Sequence, residues 1–262
     1  MILPMRVLHV MLLASCLVTT MWSQALKLDW AVYGDQNSKP ELGPVEIKQG
    51  DRLRFEIASN HLTQGSLDPL PYTKPLAHVD WTIQPSTAGV SVGAEGTVIV
   101  SAMARPGKYK VVARAGNESR TCDFLVYAPE AVPLKGVWTQ SGEISCDGHE
   151  IAPKEPMREL VFFADGNFSA TWIPFEIRKD YWGRYTYDVK TEKLVLRVDP
   201  RDTYSPLDIS PEGKARIDDR GRLIITGMWL GTPPMSRNGP SKAGAPKTFC
   251  GYDFVRPFPR HY

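Results

Sequence analysis

Glu159-Leu160-Val161-Phe162-Phe163-Ala164-Asp165-Gly166-Asn167-Phe168-Ser169-Ala170-Thr171-Trp172 decides the fold of the chain. Two short stretches rich in β-formers flank Asp165-Gly166, a dipeptide that accepts the positive φ angles of a two-residue hairpin turn. In the second stretch Phe168, Ala170 and Trp172 share one face, and Asn167, Ser169 and Thr171 share the other, as the two-residue period of a strand requires. The same alternation continues outward. Leu194, Leu196 and Val198 share a face, as do Leu223, Ile225, Gly227 and Trp229. Lys190-Thr191-Glu192-Lys193 and Asp218-Asp219-Arg220-Gly221 supply further tight turns.

Counted this way, eight strands are expected from residue 134 onward, at 134–143, 158–164, 167–173, 182–189, 193–199, 213–218, 222–230 and 248–256. Sequential antiparallel strands in that number suggest an up-and-down barrel. Closure sets the first strand beside the eighth, so the end of one meets the start of the other. Cys146 follows the first and Cys250 lies near the start of the last. Cys122 sits mid-strand in Arg120-Thr121-Cys122-Asp123-Phe124, where it reads as a small buried hydrophobe. Cys146 and Cys250 are therefore the expected disulfide.

Before Tyr127-Ala128-Pro129-Glu130-Ala131-Val132-Pro133, which reads as a linker over 129–133, strands are expected at 27–33, 43–47, 51–58, 76–83, 89–92, 96–102, 108–115 and 119–127. Short strands bounded by Gly, Pro, Asn and Asp describe a β-sandwich over residues 26–128. Trp81, flanked on its own face by Val79 and Ile83, is its expected core tryptophan. Residues 60–75 read as a long loop, either a binding loop or a plain connection. The fold class is thus all-β: a sandwich followed by a barrel over 134–262.

Residues 1–25 read as an export signal: Arg6, a nearly uncharged run from Val7 to Trp22, then Ser23-Gln24-Ala25 as a cleavage site. The run is short for a membrane span. Leu13-Ala14-Ser15-Cys16 resembles a bacterial lipoprotein box, so lipidation at Cys16 stands as the alternative to cleavage after Ala25. Either way the expected location is extracytoplasmic: periplasmic or secreted, with a possible lipid anchor.

Two family resemblances add to this reading. Val45-Glu46-Ile47-Lys48-Gln49-Gly50-Asp51, Val79-Asp80-Trp81-Thr82-Ile83, Ala88-Gly89-Val90, Gly96-Thr97-Val98 and Pro106-Gly107-Lys108-Tyr109-Lys110-Val111 resemble the group 2 bacterial immunoglobulin-like domains. That resemblance implies an exported spacer or adhesive module. Gly136-Val137-Trp138 resembles the Gly-x-Trp of lipocalin-like domains. Asp180-Tyr181-Trp182-Gly183-Arg184-Tyr185 and the hairpin quoted first are similar to bacterial members without assigned function. This second resemblance implies that Trp138 plugs one barrel end beneath a basic residue, for which Arg256 is the candidate. The Thr-Asp-Tyr pattern of animal secreted lipocalins is not found.

The composition is that of a folded chain, 42% hydrophobic and 23% charged, and its formal charge of +2 is too small for nucleic acid to be the expected partner. Gly-x-Ser-x-Gly, phosphate-loop and His-Glu-x-x-His patterns are absent from the sequence. Cys146-Asp147-Gly148-His149 has no second ligand cluster beside it, so neither metal nor cofactor is expected. No catalytic residue stands out, and the expected class is non-enzymatic. The aromatic group Trp172, Phe175, Tyr181, Trp182, Tyr185 and Tyr187 either fills the barrel or lines a pocket. Alternation places Trp172 and Tyr185 inside, and Trp172, Tyr185 and Trp229 are the candidate ligand contacts. The 231–246 loop, with Arg237 and Lys242, is a candidate gate or a plain linker. The expected function is binding or interaction at the cell envelope, with an unknown envelope protein as partner. The alternatives are a carrier of a small apolar ligand and an exported protease inhibitor.

Overall fold

The computed structural model describes residues 27–33, 45–60, 74–75, 78–172, 181–200, 208–232 and 244–257. The expected signal at 1–25 with Cys16 lies outside them. So do most of the 60–75 connection, Phe175, Asp180 and the central part of the 231–246 loop.

The first nine strands are β1 (Lys27–Tyr33), β2 (Val45–Lys48), β3 (Arg52–Asn60), β4 (Lys74–Pro75), β5 (Asp80–Gln84), β6 (Val90–Val92), β7 (Thr97–Val100), β8 (Gly107–Ala115) and β9 (Glu118–Tyr127). One sheet runs β1-β3-β7-β6 with β4 added to β3; the other runs β2-β9-β8-β5. The pairing of β2 with β9 is parallel, and the rest are antiparallel. Alternation in β3 explains the packing: Leu53, Phe55 and Ile57 turn inward while Arg52 and Arg54 turn out. Phe124 of the facing sheet lies 6.0 Å from Phe55 and 5.6 Å from Tyr109, ring centre to ring centre. Trp81 is partly buried and packs against both groups of core residues. It is seated there because residue 96 is glycine: a Cβ on Gly96 would stand 2.7 Å from the indole and 2.4 Å from the Phe55 carbonyl. Cys122 is a half-buried free thiol packed against the sandwich core.

A short 3-10 turn, Pro129–Ala131, leads into the second set of strands. These are β10 (Gly136–Ser145), β11 (Glu150–Ile151), β12 (Glu159–Phe162), β13 (Asn167–Thr171), β14 (Tyr181–Asp188), β15 (Lys193–Val198), β16 (Glu212–Ile217), β17 (Leu223–Thr226) and β18 (Phe249–Val255). Strands β10 and β12 to β18 pair in sequence order, all antiparallel, and β10–β18 pairing closes the barrel with Thr139 opposite Val255 and Ser145 opposite Phe249. Three differences from the sequence reading are local. The hairpin strand β11 adds to β10, which also shifts register between Gln140 and Gly142. Strand β17 ends at Thr226, so Trp229 lies beyond it rather than within it. Strand β13 likewise ends just short of Trp172.

The interior is filled by side chains from every wall, among them Leu160, Phe168, Tyr181, Leu194, Leu196, Ile225 and Phe254, all essentially fully buried. Cys146 and Cys250 are joined, with Cα atoms 4.9 Å apart and 104 positions apart in sequence. Among the described residues no helix is long and apolar enough to cross a membrane.

The two ends of the barrel differ in their connections. At the end where β10 begins and β18 finishes, the strands are joined by the turns at 163–166, 189–192 and 218–222. At the other end the connections are 146–158, 172–180, 199–211 and 227–248. The sandwich meets the first of these ends. The Ala164 N–H in its hairpin turn donates to Glu46 of β2.

Candidate functional site

At the sandwich end Trp138 is fully buried. Its indole N–H donates to the Leu134 carbonyl at 2.8 Å, which satisfies the one polar atom the ring carries. The Arg256 guanidinium lies over the ring, 4.5 Å from its centre, and donates to the Lys135 carbonyl at 3.2 Å. Gly136 makes room for it: a Cβ there would stand 2.7 Å from an Arg256 nitrogen, on a backbone whose φ of 134° disfavours side chains. Gly136, Trp138 and Arg256 are therefore brought together, and they seal this end.

Trp172 and Tyr185 are both buried in the barrel core. Tyr185 meets Phe162 edge to face at 4.8 Å, and its hydroxyl donates to the Phe163 carbonyl at 2.9 Å. Burial pushes that hydroxyl far above its usual pKa, with the charges of Glu46 and Asp165 adding to the effect. Trp172 lies 5.8 Å from Tyr181, whose hydroxyl donates to the Leu230 carbonyl at 2.8 Å. The Tyr187 hydroxyl donates to the Ala215 carbonyl, and the Tyr252 hydroxyl accepts the Leu230 N–H at 3.0 Å. Each of these tyrosine hydroxyls is bonded to the barrel's own backbone, three as donors and that of Tyr252 as an acceptor.

At the far end Trp229, Phe249 and Tyr252 pack on one another, with ring centres 4.6 to 5.9 Å apart. Trp229 and Phe249 are only half-buried. Asp208 organises this end. Its carboxylate accepts the Trp229 indole N–H (3.0 Å), the Thr232 hydroxyl (2.7 Å) and N–H (3.1 Å), and the Gly244 N–H (3.2 Å). Burial works against its charge, but the bonds from Thr232 and Trp229 prevail and hold the carboxyl below the usual range. Thr232 and Gly244 flank residues 233–243, so one side chain ties both ends of that segment to Trp229. The sequence offered no sign of this role for Asp208.

A second polar group lies on the outer wall. Arg222 pairs with Asp218 at 2.9 Å, with Glu150 of β11 at 3.0 Å and with Asp253 of β18 at 2.5 Å. Asp253 is buried, and its other carboxylate oxygen has no hydrogen-bond partner among the described residues. Burial raises its pKa against the pull of Arg222. The cluster clasps β11 to the barrel. His149 and Asp147 stand 3.9 Å apart and exposed; among the described residues no three His, Cys, Asp or Glu side chains are placed to hold a metal.

Among the described residues, recesses open on the sandwich and at its junction with the barrel. One of about 440 Å³ lies along the sandwich between Ile57, Trp81 and Glu95. One of about 150 Å³ lies where sandwich and barrel meet, between Val132, Leu134, Ala164 and Tyr185. Of the three candidate ligand contacts, Trp172 and Tyr185 face the packed interior, and Trp229 reaches the far end.

No protein-family model and no curated protein matches the chain. Among solved structures, extracellular domains 3–5 of Drosophila OTK are similar at 11% identity and a TM-score of 0.22, over 70% of this chain and 53% of that one. This chain thus spans about half of that structure, and at such a score the likeness carries no argument. The Cys146–Cys250 bond is of a kind that persists in oxidising, extracytoplasmic surroundings.

Proposed function

We propose that this is an exported, non-enzymatic interaction protein of the cell envelope, in which an immunoglobulin-like sandwich serves as spacer for a lipocalin-like barrel. The observation that carries this reading is the division of labour between the barrel's ends. The interior is spent on packing, the sandwich-side end is sealed, and the long connections leave from the far end. Binding residues sit disproportionately on loops held by a rigid scaffold. The far end, with half-buried Trp229 and Phe249 fixed by Asp208 and the disulfide, is the surface offered to a partner.

The filled interior weighs against a carrier of an apolar ligand, and a whole sandwich ahead of the barrel weighs against a protease inhibitor with a free N-terminal arm. Photo-crosslinking residues placed at Lys154 or Lys247 (far end) and at Lys190 or Arg220 (sandwich end) test the reading in the cells that make the protein. Adducts from the far-end positions alone are expected. Equal adducts from both ends, or a small molecule retained in native mass spectrometry of the purified protein, would overturn it.

A further inference from the structure

A chain link alone lets two β units swing about one another, because interfaces between domains are commonly small and polar. Here a second connection joins the units, between residues 118 positions apart. Glu46 lies on β2 of the sandwich, its side chain only 7% exposed. One of its carboxylate oxygens accepts the Ala164 N–H at 2.6 Å, in the hairpin turn between β12 and β13. The other pairs with Lys135 at 3.2 Å, on the segment that opens β10. The Lys135 ammonium in turn lies over the Tyr127 ring of β9, 4.7 Å from its centre. The sandwich thus grips the barrel at two sequence-distant places through one side chain. The same Lys135 offers its carbonyl to Arg256 over Trp138, so the grip is continuous with the seal of that barrel end.

We propose that Glu46 is a latch that fixes the sandwich against the sealed end of the barrel, so that the two units turn as one body and hold the far end at a set distance and direction. A solvated surface glutamate would gain nothing from this position. Glu46 gives up its water for two partners that belong to the other side of the junction, and opening the junction would separate it from the Ala164 N–H. The groups that face it are Lys135, Asp165 and Tyr185. Burial raises its carboxyl above the usual range, against the pull of Lys135, so its negative charge is a cost at the junction rather than the source of the hold. The acceptor oxygen toward Ala164 is the part that matters. Glutamine keeps that oxygen and alanine removes it.

Residual dipolar couplings measured on the intact mature chain report whether both units share one alignment. A single alignment tensor is expected to fit sandwich and barrel together in the unaltered protein and in Glu46→Gln. In Glu46→Ala the common tensor should be lost and two separate tensors required, with the spectra of both units still dispersed. Two tensors in the unaltered protein, or one common tensor retained in Glu46→Ala, would overturn the latch. If Glu46→Ala does not fold, Glu46→Met decides in its place: it fills the same space but brings no oxygen to the Ala164 N–H, so loss of the common tensor supports the latch and its retention sinks it. None of these outcomes depends on what the far end binds.

Discussion

At the end of the barrel that meets the sandwich, Trp138 is wholly buried beneath Arg256 and its indole N–H is spent on the Leu134 carbonyl. At the opposite end Trp229 is half-buried, and its indole N–H is held by a side chain, Asp208. One tryptophan is fixed by packing and backbone. The other is fixed by a carboxylate that also holds Thr232 and Gly244. The two ends therefore draw on different physics. The sealed end is stable through burial, which no change of solvent pH removes. The far end is stable through a covalent bond and a charge.

The disulfide gives the largest expected effect. Replacing both Cys146 and Cys250 with serine releases a loop of 104 positions, which costs about 4–5 kcal/mol in the chain-entropy account. Urea unfolding of the barrel measures it, and amide exchange should show the far end opening first. Protection lost first at Gly136 and Trp138 would reverse the contrast. The next effect is a pair. Trp138→Ala should cost about 4 kcal/mol as a fully buried aromatic, and Trp229→Ala roughly half of that or less. Equal costs, read by the same unfolding curves, would mean that the ends are built alike. The smallest effect belongs to Asp208→Ala, about 1–2 kcal/mol of hydrogen bonding confined to the far end. Because the Asp208 carboxyl is held low in the folded state, its contribution is complete above the ordinary aspartate range near ~4 and is lost as pH falls through the lowered value. The protection of the Thr232 and Gly244 amides, taken relative to their intrinsic exchange at each pH, should fall under those acid conditions in the parent protein and be reduced at all pH values in the variant. Unchanged exchange in Asp208→Ala would remove the carboxylate from the account.

The barrel was legible because its evidence is local. Alternation in Phe168-Ser169-Ala170, the Asp165-Gly166 turn and the strand count are all read within a few residues of one another. Closure then made the Cys146–Cys250 pair a deduction from topology. Trp138 and Arg256 were found through a resemblance, since nothing in the spacing of two residues so far apart marks them as partners. What escaped the sequence was long-range and polar. Glu46 stands in Val45-Glu46-Ile47 as an ordinary outward strand residue, and its partner is an N–H, which every residue but proline carries. Asp208 and Arg222 were silent for the same reason: a side chain that bonds backbone or charge across the fold leaves no periodicity. Strand ends were the other weakness. Alternation places Trp229 within the seventh barrel strand, but β17 stops at Thr226, and Gly227, with a φ of 67°, turns the chain away.

The bond between Cys146 and Cys250 also has a topological consequence. It makes residues 146–250 a covalent ring that contains the four long far-end connections. A protease that severs the backbone once anywhere inside that ring leaves a single molecule, with both new ends still tethered to the wall of the barrel. The exposed end can thus be nicked without being shed, and two cuts are needed before any piece of it can leave.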